Sequence, residues 1–284
     1  MSNFNLTLSP SQIEYVLKPE VTIIQTYEIT NNSSDSINLN TEVLPWIPSD
    51  TTGSVNYTQA IANPNIIFSL GNSDLQLGQL FTLAPNTKKQ LVLKIKTNSN
   101  ITLADSYYTF FITQNLTTTS SKENFSQASG KIGSHILLTV SDVENPKVES
   151  TIQNISIFPK IKDVFFRPIN FSGQIKNNSD FFFKINGKIT ITKNDKTIKE
   201  FTLNSDNVLN HYARNFSCSD QNGCQLKTPL WPGHYNVNIT LDSSLNSKSY
   251  DTSFYILPIS PMLFLLLITG LFFGIKKIKT KSRV

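Results

Sequence analysis

Cys218 and Cys224 are the only cysteines in the chain. They bracket Ser-Asp-Gln-Asn-Gly, a polar and turn-prone spacer, and such a pair points to a disulfide formed in an oxidising compartment. Five intervening residues is the wrong spacing for a CxxC redox pair, and no second ligand pair lies near enough to complete a zinc site. An unbonded pair is the alternative. His135, His211 and His234 are the only histidines, and none has another His or a Cys at metal-ligand spacing. The chain holds no GxGxxG, no phosphate loop, no GxSxG elbow and no HExxH. Asp142 and Glu144 fall in a linker, where solvated carboxylates are expected rather than acid/base catalysis. The expectation is therefore a non-enzyme with no catalytic residue, no cofactor and no metal. Two aromatic positions read as ligand-facing. Trp46 lies between Pro45 and Pro48 at a strand end, and Phe181-Phe182-Phe183 cannot all point inward along a strand, which singles out Phe182. Trp231, before a Pro-Gly turn, is expected at a core or corner position.

Charge placement narrows the partner class. The net charge is +5, yet Lys276, Lys277, Lys279, Lys281 and Arg283 all fall in the last nine positions, and no acidic residue follows Asp251. The rest of the chain is neutral, so no basic surface is expected to follow a nucleic-acid backbone. Ile256 to Ile275 runs for twenty residues without a charge, long enough to predict a membrane-spanning helix. The basic cluster behind it predicts a cytoplasmic tail and an extracellular N-terminal body, a single-pass protein of the cell membrane. The opening residues MSNFNLTLSPSQ have neither a charged nor an apolar signal region. Three readings stay open: a signal upstream, a signal removed, or tail anchoring with the body in the cytosol.

The elements that position these residues read as strands. Val21 to Ile29, Ile37 to Leu44, Leu91 to Ile95, Tyr107 to Ile112 and Ile132 to Val140 alternate apolar and polar residues between Asn, Ser, Gly and Pro clusters. After Val143-Glu-Asn-Pro-Lys147 the pattern restarts at Ser150 and continues to Tyr255. Spacing of this kind predicts an all-β chain of two tandem immunoglobulin-like β-sandwich domains plus one C-terminal transmembrane helix. The expected boundaries are 1–143, 144–255, the span at 256–275 and the tail at 276–284. Tyr27-Glu-Ile-Thr-Asn-Asn-Ser33 is echoed by Gly173-Gln-Ile-Lys-Asn-Asn-Ser179, which suggests two related halves. The polar stretch Asn115 to Lys131 joins two apolar strands. If the second of these lies at a sheet edge, Ile132, Ile136, Leu138 and Val140 would support pairing with a partner's strand.

Leu8-Ser-Pro10 leading to Leu17-Lys-Pro19, Ile29-Thr-Asn-Asn-Ser33, Phe81-Thr-Leu-Ala-Pro-Asn86 and Tyr107 to Ile112 carry a family resemblance. Residues 6–141 resemble the N-terminal immunoglobulin-like domain of periplasmic pilus chaperones and of the WxL-interacting surface proteins. The order of first domain, second β-domain, span and basic tail is similar to the latter in particular. That resemblance implies a first domain associated with peptidoglycan and a second that binds another surface or host protein. The basic residues with which pilus chaperones hold a subunit's terminal carboxylate have no match here. The resulting expectation is a membrane-anchored cell-surface binding protein, its partner a cell-wall polymer or another surface protein. The rivals are an assembly chaperone or pilus-related factor binding by strand addition, and an exported enzyme of unknown class.

Overall fold

The computed structural model describes residues 5–115, 130–159, 162–164, 168–227, 230–242 and 248–281, with helix side chains described to 273. The chain divides into two compact units, Met1–Val148 with Asp180–Phe182, and Glu149–Ser179 with Phe183–Val284.

In unit 1 the alternating segments become β1 (Leu6–Ser9), β2 (Gln12–Leu17), β3 (Thr22–Asn31), β4 (Ile37–Pro45), β5 (Ile47–Pro48) and β6 (Val55–Asn56). They continue as β7 (Ile66–Leu70), β8 (Phe81–Leu83), β9 (Lys88–Thr97), β10 (Asp105–Gln114) and β11 (Lys131–Val140). Two sheets, β1-β3-β9-β7 and β2-β11-β10-β4-β8, close on one core in an immunoglobulin-like sandwich. Tyr27 and Ile29 of β3, Leu91, Leu93 and Ile95 of β9, and Phe110 and Ile112 of β10 are wholly buried. Their period of two turns one face of each strand inward. The chain changes sheets at Pro10, which follows a cis peptide bond: β1 pairs antiparallel with β3, whereas β2 pairs parallel with β11.

Unit 2 has the same plan. Its strands are β12 (Ser150–Phe158), β13 (Ile169–Asn177), β14 (Phe183–Lys184), β15 (Gly187–Lys193), β16 (Lys196–Thr202) and β17 (Asn207–Val208). Then follow β18 (Ala213–Asn215), β19 (Gln225–Leu226), β20 (Gly233–Leu241) and β21 (Lys248–Ile256). One sheet runs β16-β15-β20-β21 and another β12-β13-β18. A separate core forms around Ile175, Ile189, Ile191, Phe201, Tyr235 and Val237. Here too the first strand ends at a proline after a cis peptide bond, Pro159, and the chain beyond it meets the last strand in parallel, at the Asp163–Leu257 bridge.

The Asn-Asn-Ser echo has a structural meaning. Asn31 and Asn177 end β3 and β13 and are fully buried. Each accepts the main-chain N–H and the hydroxyl of the serine two residues on, at 3.0 and 2.6 Å in unit 1 and 2.9 and 2.6 Å in unit 2. Each also donates its amide to carbonyls across the sandwich: Leu83 and Ala84 for Asn31, Val208 for Asn177. A buried carboxamide is held where it can satisfy several main-chain groups at once.

The expected membrane-spanning helix is not found, and the single-pass placement with an extracellular body and cytoplasmic tail falls with it. Among the described residues no helix is long and apolar enough to cross a membrane. The sheet takes the start of the apolar run. Ile256 ends β21 with 1% exposure, and the Leu257 N–H donates to Lys162 O at 2.9 Å. The helix α1 (Ile259–Lys281) begins only beyond Pro258, where the Asp163 carboxylate accepts the Ser260 N–H at 3.1 Å.

Candidate strand-pairing site

β10 and β11 form the long hairpin of unit 1, paired from Asp105↔Thr139 to Thr113↔Lys131. The phase of the ladder follows from its flanks. Gln114 N–H donates to Gly130 O and Val140 N–H to Ala104 O, so the even-numbered residues of β11 face β10. The odd-numbered residues direct their main-chain groups the other way, as the bond from His135 N–H to Ser11 O confirms. On that side β2 covers β11 only from His135 to Val140. Lys131 and Gly133 therefore present N–H and C=O groups that no described strand pairs. The side chain of Ile132, half-buried, faces the core beside them.

The edge expected from sequence is thus shorter than it reads. Ile136, Leu138 and Val140 are wholly buried under a strand already paired by β2, and only Ile132 belongs to the open part. The sequence signal for the open end is Gly133, a glycine inside an otherwise alternating strand. A Cβ there would meet Thr109 Cγ2 at 2.6 Å and the Phe111 ring at 2.8 Å. The joining stretch from Asn115 to Lys131 lies largely outside the described residues.

On the outer face of the same sheet the side chains close over one another. Trp46, expected to face a ligand, is 5% exposed. Its ring stacks on Tyr107 at 5.0 Å, and the indole N–H donates to Tyr108 O at 2.8 Å. An indole with its polar handle satisfied inside a packed cluster has no face to offer a ligand. His135 packs against the same ring at 5.3 Å with Nδ1 2.9 Å from Thr109 Oγ1, and burial pushes its imidazole down from the ordinary histidine range. Lys131 bonds Glu42 at 2.6 Å and lies over the Phe111 ring at 3.7 Å.

Phe182 is half-buried in unit 1 and gives its main-chain N–H to the Asp105 carboxylate. Asp105 also accepts from Thr139 Oγ1 at 2.6 Å and Tyr107 Oη at 2.8 Å. Burial outweighs those bonds and pushes its carboxyl up to about 6. Nothing in the sequence marks this aspartate, since it opens a strand like any polar residue.

In unit 2 the expected disulfide between Cys218 and Cys224 is present, with Cα atoms 5.0 Å apart. Trp231 is 81% exposed rather than a core residue. Its neighbour Leu230 packs on the core instead, and the Tyr235 hydroxyl fixes the Trp231 carbonyl at 2.8 Å. A cleft of about 640 Å³ lies beside the disulfide loop, lined by Ile198, Lys199, Asp220, Gln225, Leu226 and Leu230. Lys276, Lys277, Lys279, Lys281 and Arg283 lie outside the described side chains.

No family model matches the chain, and no curated protein matches it. Solved structures do. The class 5 fimbriae chaperone CfaA is 13% identical, with 89% of this chain and 100% of that one covered, at a TM-score of 0.42. The E. coli chaperone DraB is 14% identical over 88% of this chain and 96% of its own, also at 0.42. The Salmonella enterica complex of SafA pilin with the SafB chaperone gives 10% identity, coverage of 90% and 98%, and a TM-score of 0.40. Likeness at this identity concerns the fold alone.

Proposed function

We propose that the chain is a non-catalytic binding protein that takes up an extended segment of a partner protein along the open end of β11. The observation that carries this reading is the mismatch in cover: β10 pairs with β11 down to Lys131, and β2 stops at His135. Main-chain groups of Lys131 and Gly133 point away from β10 with no described strand beside them, next to a half-buried Ile132, an arrangement that suits strand addition. A partner strand would continue the line of β2, its main chain on the open groups and an alternate side chain beside Ile132. Such a site selects polypeptide rather than a cell-wall polymer, because it offers a ladder of amide donors and acceptors in strand register.

The test uses a synthetic peptide of alternating valine and threonine with charged ends. It should slow hydrogen exchange at the Lys131 and Gly133 amides. Lys131→Pro, at the first strand position where proline is tolerated, removes one outward donor and should raise the peptide concentration that half-protects the Gly133 amide ~10-fold, about the value of one main-chain hydrogen bond. Lys131→Ala removes the Glu42 ion pair but keeps the donor and should bind nearly as the parent does. Peptide binding that leaves both amides exchanging freely, or undiminished protection of the Gly133 amide in the proline variant, would refute the site.

A further inference from the structure

The last strand of unit 2 carries a longer open edge than β11. β21 pairs with β20 from Gly233↔Ile256 to Leu241↔Lys248 with no shift in register. Asp242 N–H donates to Asn186 O, so the even-numbered residues of β20 face β15 and its odd-numbered residues face β21. The even-numbered residues of β21 answer them. The odd-numbered ones point away, as the Leu257 N–H does when it reaches Lys162 O. Beyond that one bridge, Asp163↔Leu257, no described residue pairs with the outer side of β21. Ser249, Asp251, Ser253 and Tyr255 are exposed, and among the described residues nothing pairs with their outward main-chain donors and acceptors.

We infer that this edge is a second strand-addition site, independent of the one on β11, which takes an extended, uncharged segment of a partner protein with apolar side chains at alternate positions. Three observations favour it. The edge is undefended: the other long edge strands, β12 and β16, are each interrupted by a register shift, at Gln153/Ser156 and Ile191/Thr192, whereas β21 has none. Bulges, lysines and short length are the ordinary means of blunting an edge. The lysine of β21 is confined to its first position, Lys248, and its only acid, Asp251, is held by the Asn238 amide at 2.7 Å. Finally, Tyr250 and Thr252 share the core-facing side of β21 with buried Phe254 but are incompletely covered, and Ile152, Ile155 and Ile157 of β12 are only partly buried. An added strand would lay alternate apolar side chains on that lip.

A second copy of the chain is the weaker occupant. Nine residues of strand run ~30 Å, and one edge of ~10 Å thickness gives roughly 300 Å² per partner, against the ~800 Å² of a standard interface. A flexible segment continues the sheet with only its alternate side chains on the lip and its other face in solvent, as Ser249, Asp251, Ser253 and Tyr255 are.

The experiment follows amide hydrogen exchange in the full chain, with and without a nine-residue peptide of alternating valine and threonine. Ser249, Asp251, Ser253 and Tyr255 should exchange rapidly in the free chain and be slowed ~10-fold or more by saturating peptide. Ser253→Pro removes one outward donor and leaves the β20 ladder whole, so it should abolish most of that protection, while Ser253→Ala retains it. Protection at Lys131 and Gly133 should be the same in both variants, and the Lys131→Pro chain should still protect β21, which separates this site from the first. If these four amides are already slow in the free chain, or stay fast at saturating peptide, the site is refuted. Because those readouts need only the unsubstituted chain, poor folding of the proline variant leaves the test intact. Concentration-dependent protection without peptide would give the edge to a second copy and overturn the assignment.

Discussion

Replacing Asp105 by Asn should remove a pH dependence from the stability of unit 1. The Asp105 carboxyl is displaced from 3.8 to about 6 because burial outweighs the bonds from Thr139, Tyr107 and Phe182. A carboxyl raised in the folded state binds more protons there than in the unfolded chain. Its contribution is complete below the unfolded value and is lost as pH rises through the folded one. At about 1.36 kcal/mol per pH unit, the full loss is ~3 kcal/mol, of which ~2 kcal/mol falls between pH 4.5 and 7.5. The chain offers its own reporter. It has two tryptophans. Trp231 is 81% exposed and should tolerate Phe, leaving Trp46, stacked on the tyrosine that bonds Asp105, as the sole probe of unit 1. In that background, urea unfolding at pH 4.5 and 7.5 gives two free energies for Asp105 and two for Asn. The carboxamide loses one acceptor and shifts both values alike. The gap between variants should therefore close or reverse by ~2 kcal/mol toward neutral pH. Parallel profiles would show that Asp105 titrates as an ordinary exposed carboxylate, and the account of its burial would fail.

Two further outcomes rest on the same kind of argument. Asn31→Ala strands the Leu83 and Ala84 carbonyls and the Ser33 donors in a fully buried position. It should cost unit 1 ~2–4 kcal/mol by Trp46 fluorescence, and a loss under ~1 kcal/mol would mean that water replaces the clasp. Replacing both Cys218 and Cys224 by Ser opens a loop of sequence separation 6 and should lower unit 2 by about 2 kcal/mol in urea, read by near-ultraviolet circular dichroism. No change would show that the unfolded chain is already compact there.

Much of the fold is written in period-two alternation. β3, β9, β13 and β20 bury the residues that their pattern nominates, because a strand has only two faces and the core takes one of them. The Asn-Asn-Ser echo was legible for a related reason, since both copies solve the same problem at the same point of a sandwich. What could not be read is everything decided by a distant partner. Trp46 looked available because its neighbours are prolines, but its cover comes from β10 and β11, some sixty and ninety residues on. Trp231 erred the other way: Leu230 fills the core position next to it. The apolar run at 256–275 reads as one element by hydropathy, yet hydropathy does not register that the β20 ladder claims its first residue and Lys162 the next.

The two open edges also have one cause. In both units the chain leaves the first strand at a proline and returns to lie parallel with the last strand. What differs is how far the return is paired. In unit 1 it pairs six residues, Gln12 to Leu17 against His135 to Val140, and leaves two outward residues with no described strand beside them. In unit 2, among the described residues, a single bridge at Asp163↔Leu257 covers the end of β21, and four outward residues have no described partner. Among the described residues, the edge left uncovered in each unit thus tracks how far the return is paired. Replacing the residues around Asp163 with a segment able to pair along β21, as Gln12 to Leu17 does along β11, should close that edge. It would protect Ser249, Asp251, Ser253 and Tyr255 without any peptide, and leave Lys131 and Gly133 as they were.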